Sequence, residues 1–104
     1  MAYAVYTTKS LEKEIEKLSN SDKERIQKLF LQLKENPYAG KQLKFNFFRE
    51  KRIREKRIYY LIYDDLQSVL VVAFGGKKVQ QETINNVIKT LPEFKEYLEH
   101  SLKK

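Results

Sequence analysis

The sequence predicts an α+β domain: a short N-terminal strand, a helical hairpin, an antiparallel meander and two C-terminal helices. Three observations predict it. Apolar residues recur at helical spacing over residues 11–33 and again over 84–98, while between them the period is two. Breakers fall where the period changes, at Ser19-Asn20, Asn36-Pro37 and Gly75-Gly76. No repeat, low-complexity tract or linker interrupts the 104 residues, so 1–104 reads as a single domain.

The elements follow in order. Tyr3 to Tyr6 is β-branched and aromatic, a short strand. Thr8 or Ser10 then caps a helix with Leu11, Ile15 and Leu18 on one stripe. Ser21 and Glu24 have capping-box spacing for a second helix, whose stripe is Ile26, Leu29, Phe30 and Leu33. Asn36 precedes proline and is pushed out of the helical region, which ends that helix. Leu43 to Phe47 and Glu50 to Ile53 read as strand material, with a polar turn at Arg54-Glu55-Lys56. Arg57 to Tyr63 is a strand with Ile58, Tyr60 and Ile62 on one face and Arg57, Tyr59, Leu61 and Tyr63 on the other. Asp64 to Gln67 turns the chain into a returning strand, Val69 to Phe74, stopped by Gly75-Gly76. A helix with Ile84, Val87, Ile88 and Leu91 follows. Thr90 and Glu93 then have capping-box spacing for a last helix, Pro92 to Leu102. The expected order is β-α-α-β-β-β-α-α, with the helices against one face of the sheet.

Composition narrows the function classes. There is no cysteine and one histidine, which leaves no disulfide, no cysteine nucleophile and no thiolate or His-rich metal site; no cofactor is expected. The longest apolar run, Val69 to Phe74, is strand-sized, so no membrane partner is expected. The N-terminus lacks a charged region followed by an apolar one, and a cytoplasmic location is the expectation.

The charge is where the sequence speaks about function. Of the net +7, six sit in the eighteen residues Lys41 to Ile58, which hold eight Lys/Arg and two Glu. Such a stretch releases condensed counterions when laid on a phosphate backbone, and its bland reading is a solvated hairpin. Arg57 reads either as a phosphate contact or as half of an ion pair with Asp64, Asp65 or Glu50. Tyr59 and Tyr63, on the same strand face, read either as a stacking platform for bases or as core and rim packing. Lys77 and Lys78 after Gly75-Gly76 read as a phosphate-holding loop or as a plain turn. The glutamates of the first two helices interleave with lysines and read as a mixed charged face without chemistry.

The helix end LQLKENPYAGKQL (Leu31 to Leu43), the basic hairpin KRIREKRIYYLIYDD (Lys51 to Asp65) and the strand VLVVAFGGKK (Val69 to Lys78) together resemble the RelE/ParE superfamily of toxin–antitoxin toxins. The resemblance spans about residues 3–84 and implies the fold just described. It implies a toxin that pairs with a RelB-like or other antitoxin. In the RelE branch such toxins cleave messenger RNA on the ribosome; in the ParE branch they poison DNA gyrase. Carried over, Arg57 is implied to contact the scissile phosphate, Arg52 to assist from the preceding strand, and Lys78 to stand where RelE-like toxins place a second arginine. Lys51 and Arg54 are their implied neighbours, and with Arg49, Lys44, Lys77, Tyr59 and Tyr63 they make up the candidate RNA contacts. The chain departs from the pattern at Ile84, where catalytic members of the RelE branch often carry a tyrosine. Two readings follow: a ribosome-dependent mRNA endoribonuclease, or the same fold acting by binding alone as a ribosome blocker, gyrase inhibitor or repressor subunit.

Overall fold

The computed structural model describes residues 2–103, arranged around one five-stranded sheet. β1 (Ala4–Thr7) is followed by α1 (Lys9–Glu16) and α2 (Asn20–Glu35), then a 3₁₀ turn at Pro37–Ala39. β2 (Lys41–Gln42), β3 (Phe48–Ile53), β4 (Lys56–Tyr63) and β5 (Ser68–Gly76) form the meander. A 3₁₀ turn at Lys77–Val79 leads into α3 (Gln80–Lys89) and α4 (Leu91–Leu102). The strand order is β1-β5-β4-β3-β2; β1 runs parallel to β5 and every other pair is antiparallel. The α+β class, the helical hairpin and the meander are as the sequence predicts.

Three expectations are corrected. The first concerns the layers. Helices cover both faces of the sheet, not one. Ile58, Tyr60 and Ile62 pack with Leu11, Ile26, Leu29 and Leu33 of the first two helices, while Tyr59 and Leu61 pack with Val87 and Leu98 of the last two. A strand that is apolar on both faces must be buried on both, and β4 is such a strand.

The second concerns Leu43 to Phe47, which is a loop. Only Lys41 and Gln42 pair with β3. The loop closes on itself, with Leu43 N–H donating to the Phe48 carbonyl (2.9 Å) and Phe48 N–H to the Phe45 carbonyl (3.0 Å). Only at its last residue does it reach the sheet, the Phe47 carbonyl accepting from Ile62 N–H at 2.8 Å.

The third concerns the caps. Thr8 caps α1 as expected, its hydroxyl accepting from Leu11 N–H at 3.3 Å. For α2 the cap is Ser19, which accepts from Asp22 N–H at 3.2 Å, two residues before the expected box. Thr90 points back instead of forward. Its hydroxyl donates to the Asn86 carbonyl (2.7 Å), so it closes the end of α3 and does not cap α4.

One packing detail sets the entry to β2. Tyr60 is fully buried, and its hydroxyl donates to the Pro37 carbonyl at 2.7 Å. That hydroxyl lies against Gly40, where a Cβ would overlap it and would sit 2.8 Å from the Glu50 carbonyl oxygen. Glycine is required there by space, not by backbone angle.

Candidate functional site

The β3–β4 ladder assembles the basic residues. Arg52 stands directly opposite Arg57, Glu50 opposite Tyr59, and Lys41 of β2 opposite Glu50. Side chains alternate along a strand, so Lys41, Glu50, Arg52 and Arg57 share one face of the sheet, the face that α3 covers further along. At this end Lys77 and Gln80 overhang it. The result is an open groove of about 610 Å³ lined by Ala39, Gly40, Lys41, Glu50, Lys51, Arg52, Arg57, Lys77 and Gln80.

Glu50 sits low in the groove, buried at 5% exposure. Arg57 Nε forms an ion pair with Glu50 Oε2 at 3.2 Å. Gln80 Nε2 donates to both carboxylate oxygens, at 3.0 and 3.1 Å. A carboxylate removed from water in this way requires such partners. Arg52 is exposed at the rim and donates through Nε to the Arg54 carbonyl at 2.9 Å. Five basic side chains against one acidic one leave the lining with an excess of four positive charges. The groove is a basic cleft in which one internal carboxylate already pairs with one of the cations.

The groove brings together four of the residues singled out from the sequence: Arg52, Arg57, Lys51 and Lys77. Lys78 is exposed one position beyond the lining, and Arg54 sits at the hairpin tip with a positive φ of 56°. Lys44 is exposed in the 43–47 loop, at the other end of β3. Arg49 lies on the opposite face of β3, where it ties loops together. It donates to the carbonyls of Asn46 (2.9 Å), Tyr38 (3.2 Å) and Gly40 (3.0 Å), and its guanidinium stacks 5.1 Å from the centre of the Tyr38 ring.

Tyr59 corrects a further expectation. Tyr59 has no exposed surface and offers no ring face to a base. Its hydroxyl is, among the described residues, the buried side-chain polar atom without a hydrogen-bond partner. Burial, reinforced by the Glu50 charge, raises the Tyr59 pKa, and burial beside Asp65 and Glu99 pushes Tyr63 up to about 12. Both phenols hold their protons at neutral pH. Ile84 is half-buried against the same apolar layer, and His100 lies on α4 in a separate groove beside Lys9, Glu93 and Glu96.

Three groove residues escaped the sequence reading as site residues: Lys41, Glu50 and Gln80. Glu50 was accessible in principle, since it is two residues from Arg52 and so shares its face. Lys41 belonged to the basic stretch but was not singled out within it, while Gln80 carries no local signal and arrives by tertiary contact.

The family model for the ParE toxin of type II toxin-antitoxin systems (parDE) matches residues 4–80. The chain belongs to that toxin family. The matched segment holds every residue that lines the groove. No curated protein matches the sequence. Among solved structures, a mutant of E. coli RelE in the free state superposes with a TM-score of 0.69 at 23% identity, covering 84% of this chain and 99% of that one. The archaeal RelE-RelB complex from Pyrococcus horikoshii OT3 gives 0.67 at 15% identity, with 74% of this toxin and 97% of that chain covered. The RelBE2 toxin-antitoxin complex from Mycobacterium tuberculosis gives 0.64 at 21%, with 74% and 93% covered. At such identities the likeness establishes a RelE-like fold for this ParE-family toxin. Among its described residues no helix is long and apolar enough to cross a membrane.

Proposed function

We propose that this toxin inhibits translation by engaging messenger RNA on the ribosome through the β3–β4 groove and promoting its cleavage. The observation that carries the reading is Arg52 standing directly opposite Arg57 in a groove with an excess of four positive charges. In such a cleavage the 2′-hydroxyl gives up its proton to solvent as its oxygen bonds to the adjacent phosphorus, the bond to the 5′-oxygen breaks as that oxygen takes a proton from solvent, and negative charge builds on the phosphoryl oxygens between. Guanidinium groups facing that phosphate stabilise the developing charge. Arg57 and Arg52 are the proposed phosphate-holding pair. Lys77 and Lys51 extend the backbone contact, and Lys78 and Arg54 add charge at its edges.

A second reading has its own observation. Ile84 lends no proton-transfer group, and Tyr59 and Tyr63 keep their protons, so the same groove serves equally for binding without chemistry. Its targets would be a ribosomal site or, as in the ParE branch, DNA gyrase. In either case we assign the toxin an antitoxin partner, an amphipathic and acidic segment that covers the basic surface; the P. horikoshii structure is a RelE-RelB complex and the M. tuberculosis structure a toxin-antitoxin complex.

A cell-free translation assay tests the proposal, with wild-type toxin and Arg57→Ala compared for protein output and messenger integrity. Arrest with cut messenger, lost in the variant, is the expected result. Arrest with intact messenger selects the ribosome-blocking reading. Normal translation overturns both ribosomal readings and directs the search to gyrase.

A further inference from the structure

A carboxylate at the bottom of a phosphate-binding groove is an electrostatic anomaly. It repels the ligand and offsets one of the cations meant to hold it. Yet Glu50 is buried, joined to β4 through Arg57 Nε at 3.2 Å and to the start of α3 through Gln80 Nε2 at 3.0 and 3.1 Å. Its ion pair with Arg57 is made at Nε. Among the described residues, neither Nη of Arg57 donates a hydrogen bond to the protein. The guanidinium side chain is 15% exposed, and Arg57 lines the groove. One edge of the fork is anchored and the terminal nitrogens are left for a ligand.

We propose that Glu50, braced by Gln80, is a positioning residue that orients Arg57 toward a phosphate in the groove. The proposal rests on the phosphate-binding reading above and adds to it the residue that makes Arg57 directional. An arginine owes its advantage over lysine to a planar fork whose orientation is set in advance, and a free side chain loses that advantage to rotamer entropy. Gln80 matters because it satisfies the other carboxylate oxygen and couples the orientation to the N-terminal end of α3.

The two roles open to Glu50 predict opposite signs. If Glu50 were only a neutralising charge, deleting it would raise the groove's positive excess and tighten RNA binding. If it positions Arg57, deleting it weakens binding although the net charge has risen. The probe is a short single-stranded RNA of mixed sequence, with affinity measured against salt for wild type, Glu50→Ala, Glu50→Gln and Arg57→Ala. Circular dichroism melts confirm that each variant is folded. For Glu50→Ala we expect weaker binding and a salt slope shallower by about 0.7, the equivalent of one phosphate contact on a single strand. Arg57→Ala should lose the same increment, and the double variant no more than either single one. Glu50→Gln keeps an acceptor for Nε and should hold the wild-type slope. Tighter binding by Glu50→Ala, or additive losses in the double variant, would overturn the positioning role while leaving the groove reading intact. Wild-type binding without salt dependence would overturn the groove reading itself, and is seen before any variant is compared.

Discussion

Arg52 and Arg57 face each other across the β3–β4 ladder, two like charges at a directly opposed position. Such a pair costs stability, on the order of 0.2–1 kcal/mol, and the repulsion is screened as salt rises. Arg57 has Glu50 to offset it, but Arg52 is exposed and, among the described residues, has no acidic partner; its Nε donates to the Arg54 carbonyl. Arg52→Gln should therefore raise the urea midpoint at low salt while weakening RNA binding. A midpoint that falls would show that the Arg52 side chain supports the hairpin more than its charge strains it.

Gly40 and Tyr60 make a tight contact that a methyl group would break. Gly40→Ala should destabilise the toxin by about 1–3 kcal/mol, the usual range for overpacking. Tyr60→Phe removes the hydroxyl and leaves the Pro37 carbonyl without its donor, which costs about 1 kcal/mol. The two changes share the same atom, so they should not add. In a double-mutant cycle Gly40→Ala should cost less when introduced together with Tyr60→Phe than when introduced alone, and strict additivity would contradict the contact.

Asp64 ties three separate segments. Its Oδ1 accepts from the Tyr3 hydroxyl at 2.7 Å and its Oδ2 from the Tyr38 hydroxyl at 2.6 Å. These two bonds, Tyr38 first, hold its pKa below the ordinary 3.8. A depressed carboxylate pKa contributes stability that is present above the unfolded value and is lost as pH falls through the folded one. The same bond to Asp64 pushes Tyr38 up to about 12. A raised phenol pKa contributes stability present below 10 and lost as pH rises toward 12. Melting temperature against pH should thus decline below about pH 4 and again above about pH 10, and Asp64→Asn should flatten both limbs. Unchanged limbs in that variant would place the titrating groups elsewhere.

Arg54 turns the β3–β4 hairpin with a φ of 56°, a left-handed conformation that glycine adopts without strain. Arg54→Gly should stabilise the fold by up to about 1 kcal/mol. Arg54→Ala is the control, since it removes the same charge without relieving the backbone. Equal stability of the two variants would show that the turn is not strained.

Much of the architecture was legible because each local cue agreed with the final fold. The helical stripe from Leu11 to Leu33, the break at Asn36-Pro37 and the two-residue period from Arg57 to Tyr63 all name their elements correctly. The failures have a common cause. Ser21 and Thr90 have capping spacing, but Ser19 and the Asn86 carbonyl offered competing partners. The 43–47 segment has strand-like residues, but two of its backbone bonds close the loop on Phe48, and it joins β4 only through the Phe47 carbonyl.

The same division holds for the candidate site. By itself the sequence determined the fold class, the toxin family's pattern and the concentration of positive charge between Lys41 and Ile58, because periodicity and charge are properties of neighbours along the chain. Tertiary structure decided which of those charges act together. It turned Arg49 into a loop brace, buried Tyr59 and set Glu50 and Gln80 beside Arg57. The physical reason is that burial and pairing depend on strand register and on a helix that returns to Glu50 thirty residues later, and neither is written in a local window.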